Sequence, residues 1–127
     1  MATQPVVIQK VYRQVHPNHM EGGIPSIEAF RPNDNDNGLL SVDNSAVWTA
    51  QQSFDHRVSI LGKPSAGSFS VLATAMGCKG LDYNFLDDAN KPQNNPSHVF
   101  IDMSRLSKKH KQGISWFLAL NSTKEYP

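Results

Sequence analysis

Ser97-His98-Val99-Phe100-Ile101-Asp102-Met103 is the stretch from which the rest of the chain is read. Val99, Ile101 and Met103 recur at every second position, the spacing that puts them on one face of a strand, with His98, Phe100 and Asp102 on the other. A strand with one apolar and one mixed face belongs in a sheet covered on its apolar side. Directly after it, Ser104 and Ser107 offer N-caps for a helix that ends near Asn121 and buries Ile114, Trp116, Phe117 and Leu118.

Upstream, residues 6–15 are rich in β-branched side chains, and a strand there places Val11, Arg13 and Val15 on one face and Tyr12 and Gln14 on the other. It stops at His16-Pro17, because proline has no amide to donate to a neighbouring strand. Residues 24–30 are closed at once by Arg31-Pro32, and 39–42 form a second short strand. Thr49-x-x-Gln52 has the spacing of a capping box, which opens a helix over 50–60 with Phe54, Arg57, Val58 and Leu61 on the face toward the sheet, Arg57 reaching outward on its long stem. Residues 68–74 alternate as a third strand, 75–80 read as a short helix closed by Gly80, and 83–86 as a further short strand. Strands and helices mix without regular βαβ alternation. The expected fold is therefore α+β, with a three- to five-stranded antiparallel or mixed sheet and two main helices packed on one face.

A chain of 127 residues with 39% hydrophobic content supports one domain, 1–127, around one modest core. Within it, the Asn- and Pro-rich stretch 89–96 reads as a mobile loop and 33–38 as a second Asn-rich turn. Twelve Lys and Arg against eleven Asp and Glu give a net charge of +1, which removes the broad electrostatic case for a nucleic-acid coat or a polybasic membrane binder. The charge is uneven, with residues 1–62 at −2 and residues 63–127 at +3. The single cysteine, Cys78, can form neither an internal disulfide nor a Cys-rich zinc site, and the N-terminus has no basic stretch followed by an apolar segment. A reducing, cytoplasmic setting is expected. No apolar run approaches the roughly 20 residues needed to span a bilayer.

Several polar groupings invite chemistry. Asp34 to Gly38 suggests a calcium loop, but setting Gly38 at the sixth position leaves Asn33 and Asn44 where the strongest carboxylate ligands belong. His16-x-x-His19 with Glu21 suggests a metal, but Pro17 and two glycines forbid the helix that presents such a pair, and neither metal nor cofactor is expected. Arg13, on an apolar strand face, needs either a carboxylate such as Asp36, Asp43 or Asp102 or a bound anion. His98 and Asp102 share a strand face about 13 Å apart, too far for contact but suited to one groove. Ser41 and Asp43, with His16 or His98 brought in by the fold, could make a hydrolytic set. Cys78 beside Lys79 reads more readily as a small buried thiol than as a nucleophile. The chain has no Gly-rich phosphate loop, no G-x-S-x-G elbow and no dinucleotide fingerprint.

Arg105, Lys108, Lys109, His110 and Lys111 gather at the start of the last helix, where the helix dipole disfavours each cation by about 0.3–1 kcal/mol. They form a patch for a protein partner, for phosphates or for solvent. No aromatic residues are interleaved with the lysines, which argues against a nucleic-acid platform.

Four blocks resemble a known pattern. Arg13-Gln-Val-His16-Pro17, Ser26-Ile-Glu-Ala-Phe30-Arg31-Pro32, Asp36-Asn-Gly-Leu-Leu-Ser41-Val42-Asp43 and His98-Val-Phe-Ile101-Asp102 are together similar to the signature of a family of small bacterial single-domain proteins of unknown function. The resemblance implies a bacterial cytoplasmic protein and nothing about activity. The 89–95 loop and the basic final helix depart from the pattern.

Three readings stay open at this point. The first is a protein-binding module of adaptor or immunity type, with Arg105, Lys108, Lys109 and Lys111 meeting the partner. The second is a small enzyme or ligand-binding protein for an anionic or phosphate-bearing ligand. In it Arg13, Arg31 and Asp102 hold the ligand, His16 or His98 moves a proton, and Ser41 or Asp43 assists. A third, polyanion binding by the 108–111 cluster, would weaken steeply with salt. Whether Arg13, His16, Arg31 and His98 converge on one pocket separates the first two readings.

Overall fold

The structure, a computed structural model, describes residues 3–6, 8–32, 38–77, 85–88 and 94–127. Residues 33–37, expected as an Asn-rich turn, Cys78, and residues 89–93 of the stretch expected as a mobile loop lie outside them. The strands are β1 (Thr3–Val6), β2 (Lys10–Gln14), β3 (Met20–Glu21), β4 (Ile24–Pro25), β5 (Leu39–Asn44), β6 (Ser68–Leu72), β7 (Phe85–Asp88), β8 (His98–Asp102) and β9 (Thr123–Tyr126). The helices are α1 (Ala50–Asp55), continued by a π turn over His56–Ile60, α2 (Ala73–Gly77) and α3 (Lys108–Leu120). No described helix is long and apolar enough to cross a membrane.

The α+β class stands, and its details correct the expectation. Seven strands, not three to five, run β1-β7-β8-β5-β2-β6-β9, with β3 and β4 as a separate hairpin. Every ladder is antiparallel. The stretch 6–15 is not one strand: β1 pairs with β7 at one edge, whereas β2 lies between β5 and β6. The C-terminal edge strand β9, which the sequence reading lacked, completes the sheet beside β6.

The two main helices pack on opposite faces of the sheet, and side-chain chemistry explains the split. On one face Val11, Val15, Leu40, Val42, Phe69, Val71, Phe85, Val99 and Ile101 form the core with Ile114, Leu118 and Ala119 of α3, and with Ala29 and Phe30 of a 3₁₀ turn, Ile27–Phe30. This is the apolar side predicted from Val99, Ile101 and Met103, and α3 starts at the expected Ser107 cap, whose hydroxyl accepts from the His110 amide at 3.2 Å. Trp116, expected in that core, is instead 53% exposed, because two residues on from Ile114 carries a side chain roughly 200° round the helix.

The other face presents Tyr12, Gln14, Ser68, Ser70, Asp43 and His98, and α1 lies over part of it. α1 fits a polar face because its buried residues are the small Ala50 and Ser53. Its capping box forms as the sequence indicates: the Gln52 amide donates to Thr49 Oγ1 at 3.1 Å and the Thr49 amide to Gln52 Oε1 at 2.8 Å. The expected α-helix over 50–60 does not persist. From His56 onward the turn widens, and the Leu61 amide donates to the His56 carbonyl at 2.9 Å, five residues back.

Candidate functional site

The polar face is built in rows by strand register. Tyr12 stands opposite Asp43 and Ser70, Asp43 opposite His98, and Asp88 follows Asp87, the residue paired with Val99. One row therefore crosses five strands as Asp88, His98, Asp43, Tyr12 and Ser70. The next row holds Leu86, Phe100 and Ser41. Alternation along each strand turns all of these side chains away from the core.

Between this face and the α1–π segment lies a pocket of 380 Å³. Its floor comes from Tyr12, Asp43, His98 and Phe100 and its wall from Ser53, His56, Arg57 and Leu61, and Lys63, Asp88 and Asn95 also line it. Ser53, Arg57 and Leu61 are spaced by four. In an α-helix that spacing drifts around the axis, and the wider π turn brings it back toward the sheet. Thus Arg57, expected to reach outward, faces the pocket.

The buried carboxylate of Asp43 anchors one side of the site. Its Oδ2 accepts from the Ser53 hydroxyl and its Oδ1 from Asn95 Nδ2 at 2.8 Å. Gln14 Nε2 donates to Ser53 Oγ at 2.8 Å and also to Ser68 Oγ, while Gln14 Oε1 accepts from Ser65 at 2.7 Å. Ser68 passes its own proton to the Ala50 carbonyl at 2.7 Å. This chain of donors binds α1 to the sheet and satisfies groups that would otherwise be buried without partners. Asn95, one of the asparagines read as loop, is a structural member of the site, since its Oδ1 also receives the Ser97 amide and hydroxyl.

His98 forms the other side. Its Nδ1 lies 2.9 Å from Asp88 Oδ2, and the two side chains are only 14% and 10% exposed, close enough for charge pairing though off the line of a well-formed hydrogen bond. The ring meets Phe100 edge to face at 90° with centroids 4.9 Å apart, which fixes its plane. His56 is held against Trp48, with centroids 5.0 Å apart. A carboxylate beside an imidazole that faces a pocket is the arrangement that orients an acid–base group.

Arg57 supplies the unbalanced charge. It is half-buried, burial pushes its pKa down from the ordinary arginine value, and its sole hydrogen bond among the described residues is a long 3.5 Å contact from Nε to the Pro64 carbonyl. No carboxylate among them pairs with it. The two pocket carboxylates are engaged elsewhere, Asp43 with Ser53 and Asn95, and Asp88 with His98. Exposed Lys63 adds a further cation to the lining, beside Arg57 and Arg13.

The structure brings together Arg13, Ser41, Asp43 and His98 of the residues singled out in sequence around the pocket, and separates His16, Arg31 and Asp102 from it. Arg13 borders the pocket, but its Nε donates to the Ala29 carbonyl and its Nη1 to the Ser41 carbonyl, both at 2.8 Å. It clips β2 and β5 to the 3₁₀ turn through these two backbone carbonyls. His16 caps another 3₁₀ turn, Pro17–His19, its Nδ1 accepting from the Asn18 amide at 3.0 Å, with its ring 5.7 Å from that of His19. Arg31 pairs with Glu28 at 2.6 Å on the surface. Asp102 caps the end of β8, accepting from the Ser104 amide and hydroxyl. His16, Arg31 and Asp102 do not line the pocket. Arg105, Lys108 and Lys109 are exposed and Lys111 is half-buried, around the start of α3.

The residues that the sequence reading missed are Ser53, Arg57, Asp88 and Asn95. The four-residue spacing of Ser53, Arg57 and Leu61 was a visible signal for the first two. Among the described residues no three His, Cys, Asp or Glu side chains gather as a metal site requires. Comparison with protein-family models, with curated proteins and with solved structures returns no match.

Proposed function

We propose that this protein binds a small anionic ligand in the pocket between the polar sheet face and the π turn, with His98 and Asp88 placed to move a proton to or from it. One observation carries this reading: Arg57 is half-buried at the pocket wall with no anion of its own among the described residues. Taking a guanidinium partly out of water is unfavourable unless a negative group meets it. Lys63 draws the same charge to the mouth. Asp43 and its hydrogen-bond chain hold the α1 wall at a fixed distance from the floor, so the ligand meets a preformed cleft.

The test is an NMR titration of the full chain with inorganic phosphate, ribose 5-phosphate, adenosine 5′-monophosphate, acetate and benzoate. Saturable shifts confined to His98, Ser53 and Arg57 for at least one probe, lost in Arg57→Gln, support the reading. Shifts absent for every probe, or equal in Arg57→Gln, overturn it.

A second reading, a docking face for an acidic protein segment, rests on α3. Trp116 and Leu120 are 53% and 52% exposed there, and residues 103–124 contain no Asp or Glu while Arg105, Lys108, Lys109, Lys111 and Lys124 supply positive charge. Gly113, on the same outward stripe as Lys109, Trp116 and Leu120, has nothing within 4 Å of an added Cβ, so nothing in its own fold requires the glycine. In Trp48→Phe protein, Trp116 emission should shift to the blue with a helical Glu/Leu peptide, less so at high salt and not in Lys109→Glu. Unchanged emission would remove this reading.

A further inference from the structure

The pocket is larger than the charge at its wall. Its 380 Å³ corresponds to about a dozen water molecules at roughly 30 Å³ each, while a single tetrahedral oxyanion fills only a few such places. The volume falls in the range of sites for organic ligands, roughly 300–1,000 Å³.

The lining is also not uniformly polar. Phe100 stands half-buried on the floor in a row with Ser41, and Leu61 stands half-buried on the opposite wall. Phe100 stands beside Leu86 on a face that also carries Tyr12, Gln14, Asp43 and His98, and its edge-to-face contact with His98 holds its plane. On that face it has no part in the core formed by Val99 and Ile101. An apolar ring with a fixed plane and an aliphatic side chain across the cleft suit a flat partner, because ring stacking is sequence-tolerant and needs only a π-face. Arg57 and Lys63 give the same cleft a cationic end.

On the reading of this pocket as an anion site, we infer that its ligand is an organic anion in which a planar ring is joined to a phosphate or carboxylate group. The ring lies between Phe100 and Leu61 and the charged group meets Arg57 and Lys63. A bare oxyanion reaches the cation and leaves the apolar walls wet. A neutral ring covers the walls and leaves Arg57 without a counter-charge.

Two pairs of probes, each differing by the ring, test this by calorimetry on the full chain: adenosine 5′-monophosphate against ribose 5-phosphate, and benzoate against acetate. The ring-bearing member of at least one pair should bind about tenfold tighter or more. The pair that shows the larger preference identifies the head group as phosphate or carboxylate. Phe100→Leu should bring the ring-bearing probe down to the affinity of its ringless partner and leave the latter unchanged, whereas Arg57→Gln should weaken both. If Phe100→Leu is poorly folded by its urea midpoint, Leu61→Ser on the facing wall serves instead and should halve the preference or more. Equal affinities within both pairs, with binding still lost in Arg57→Gln, overturn the ring and leave the anion site standing. A ring preference that survives both Phe100→Leu and Leu61→Ser also overturns it. No binding by any probe removes the anion site and the ring together.

Discussion

The two faces of the seven-stranded sheet are built on opposite rules. The face under α3 is filled by Leu118, Ile114, Val99, Ile101 and Phe30, nearly all removed from water, and its specificity is that of shape and volume. The face under α1 is organised by Asp43, Ser53, Gln14, Ser68 and Asn95, whose partners are fixed one by one through hydrogen bonds. Apolar packing leaves no room, because each void loses contacts on every side. Directional bonds can span a gap once their donors and acceptors are satisfied, and the 380 Å³ pocket lies on that side. A sheet can thus keep its stability on one face and its chemistry on the other.

The largest expected effect tests the apolar half of this contrast. Leu118 is fully buried at the centre of the core, and Leu118→Ala should cost about 2–5 kcal/mol of unfolding free energy in urea, through lost transfer energy and the cavity left behind. A loss under 1 kcal/mol would mean that α3 adds little to the core.

Removal of a single donor on the polar face should cost less. In Asn95→Ala the Asp43 Oδ1 loses the side-chain amide that now reaches it at 2.8 Å, and a buried acceptor left unsatisfied costs about 1–3 kcal/mol. Ser53→Ala removes the donor to Oδ2, and the pair should be non-additive because both serve one carboxylate. Strictly additive losses would show that Asp43 is not the shared node.

What the sequence revealed follows the same division. The apolar face was legible because its signal is periodic: Val99, Ile101 and Met103 alternate, and the Ser107 cap marks where α3 begins. The capping box of α1 was equally plain. The polar face was only half legible. His98, Asp43 and Ser41 could be named, but Asp88 and Asn95 sit at the two ends of a stretch that composition reads as a loop, and their roles come from the strand β7 before it and the turn after it. Arg13 and His16 were marked for chemistry by residue type. Their engagement with the carbonyls of Ala29 and Ser41 and with the Asn18 amide depends on chain crossings that no local pattern encodes. The π turn escaped because its hydrogen bonding differs from an α-helix by one residue, and pattern reading has no way to count that residue. Even the sides on which the helices pack were misjudged for a similar reason, since α1 carries small polar contacts where an apolar stripe had been assumed.

Arg57 gives a prediction of opposite sign. Because its half-buried guanidinium has no carboxylate partner among the described residues, Arg57→Leu should raise stability by about 0.5–2 kcal/mol while abolishing anion binding. A site under functional demand is expected to show this trade-off. Loss of stability in Arg57→Leu would assign the side chain to the fold and weaken the case for a ligand.

The smallest effect lies at the rim of the polar face, where Lys10 on β2 reaches Glu125 on β9 at 3.1 Å across the intervening β6. The Ser70 hydroxyl, first, and then Lys10 hold the Glu125 carboxyl below the usual glutamate range, and Glu125 in turn raises Lys10 above the usual lysine range. A carboxyl whose folded pKa is depressed adds stability that is present above its unfolded pKa, about 4.3, and lost as pH falls through the folded value. A lysine whose folded pKa is raised adds stability that is fully present below its unfolded pKa, about 10.4, and lost as pH rises through the folded value. The pair therefore contributes a plateau across neutral pH. Both side chains are almost a third exposed, so solvent screening keeps that plateau to about 1 kcal/mol or less. Glu125→Gln should lower stability by that amount at pH 7 in dilute buffer, and the gap to the parent protein should narrow as pH falls below about 4.3 and shrink in 1 M salt. A gap that stays constant in acid would place the role of Glu125 in its contact with Ser70 through a neutral hydrogen bond, and the charge pair at this edge would then hold nothing together.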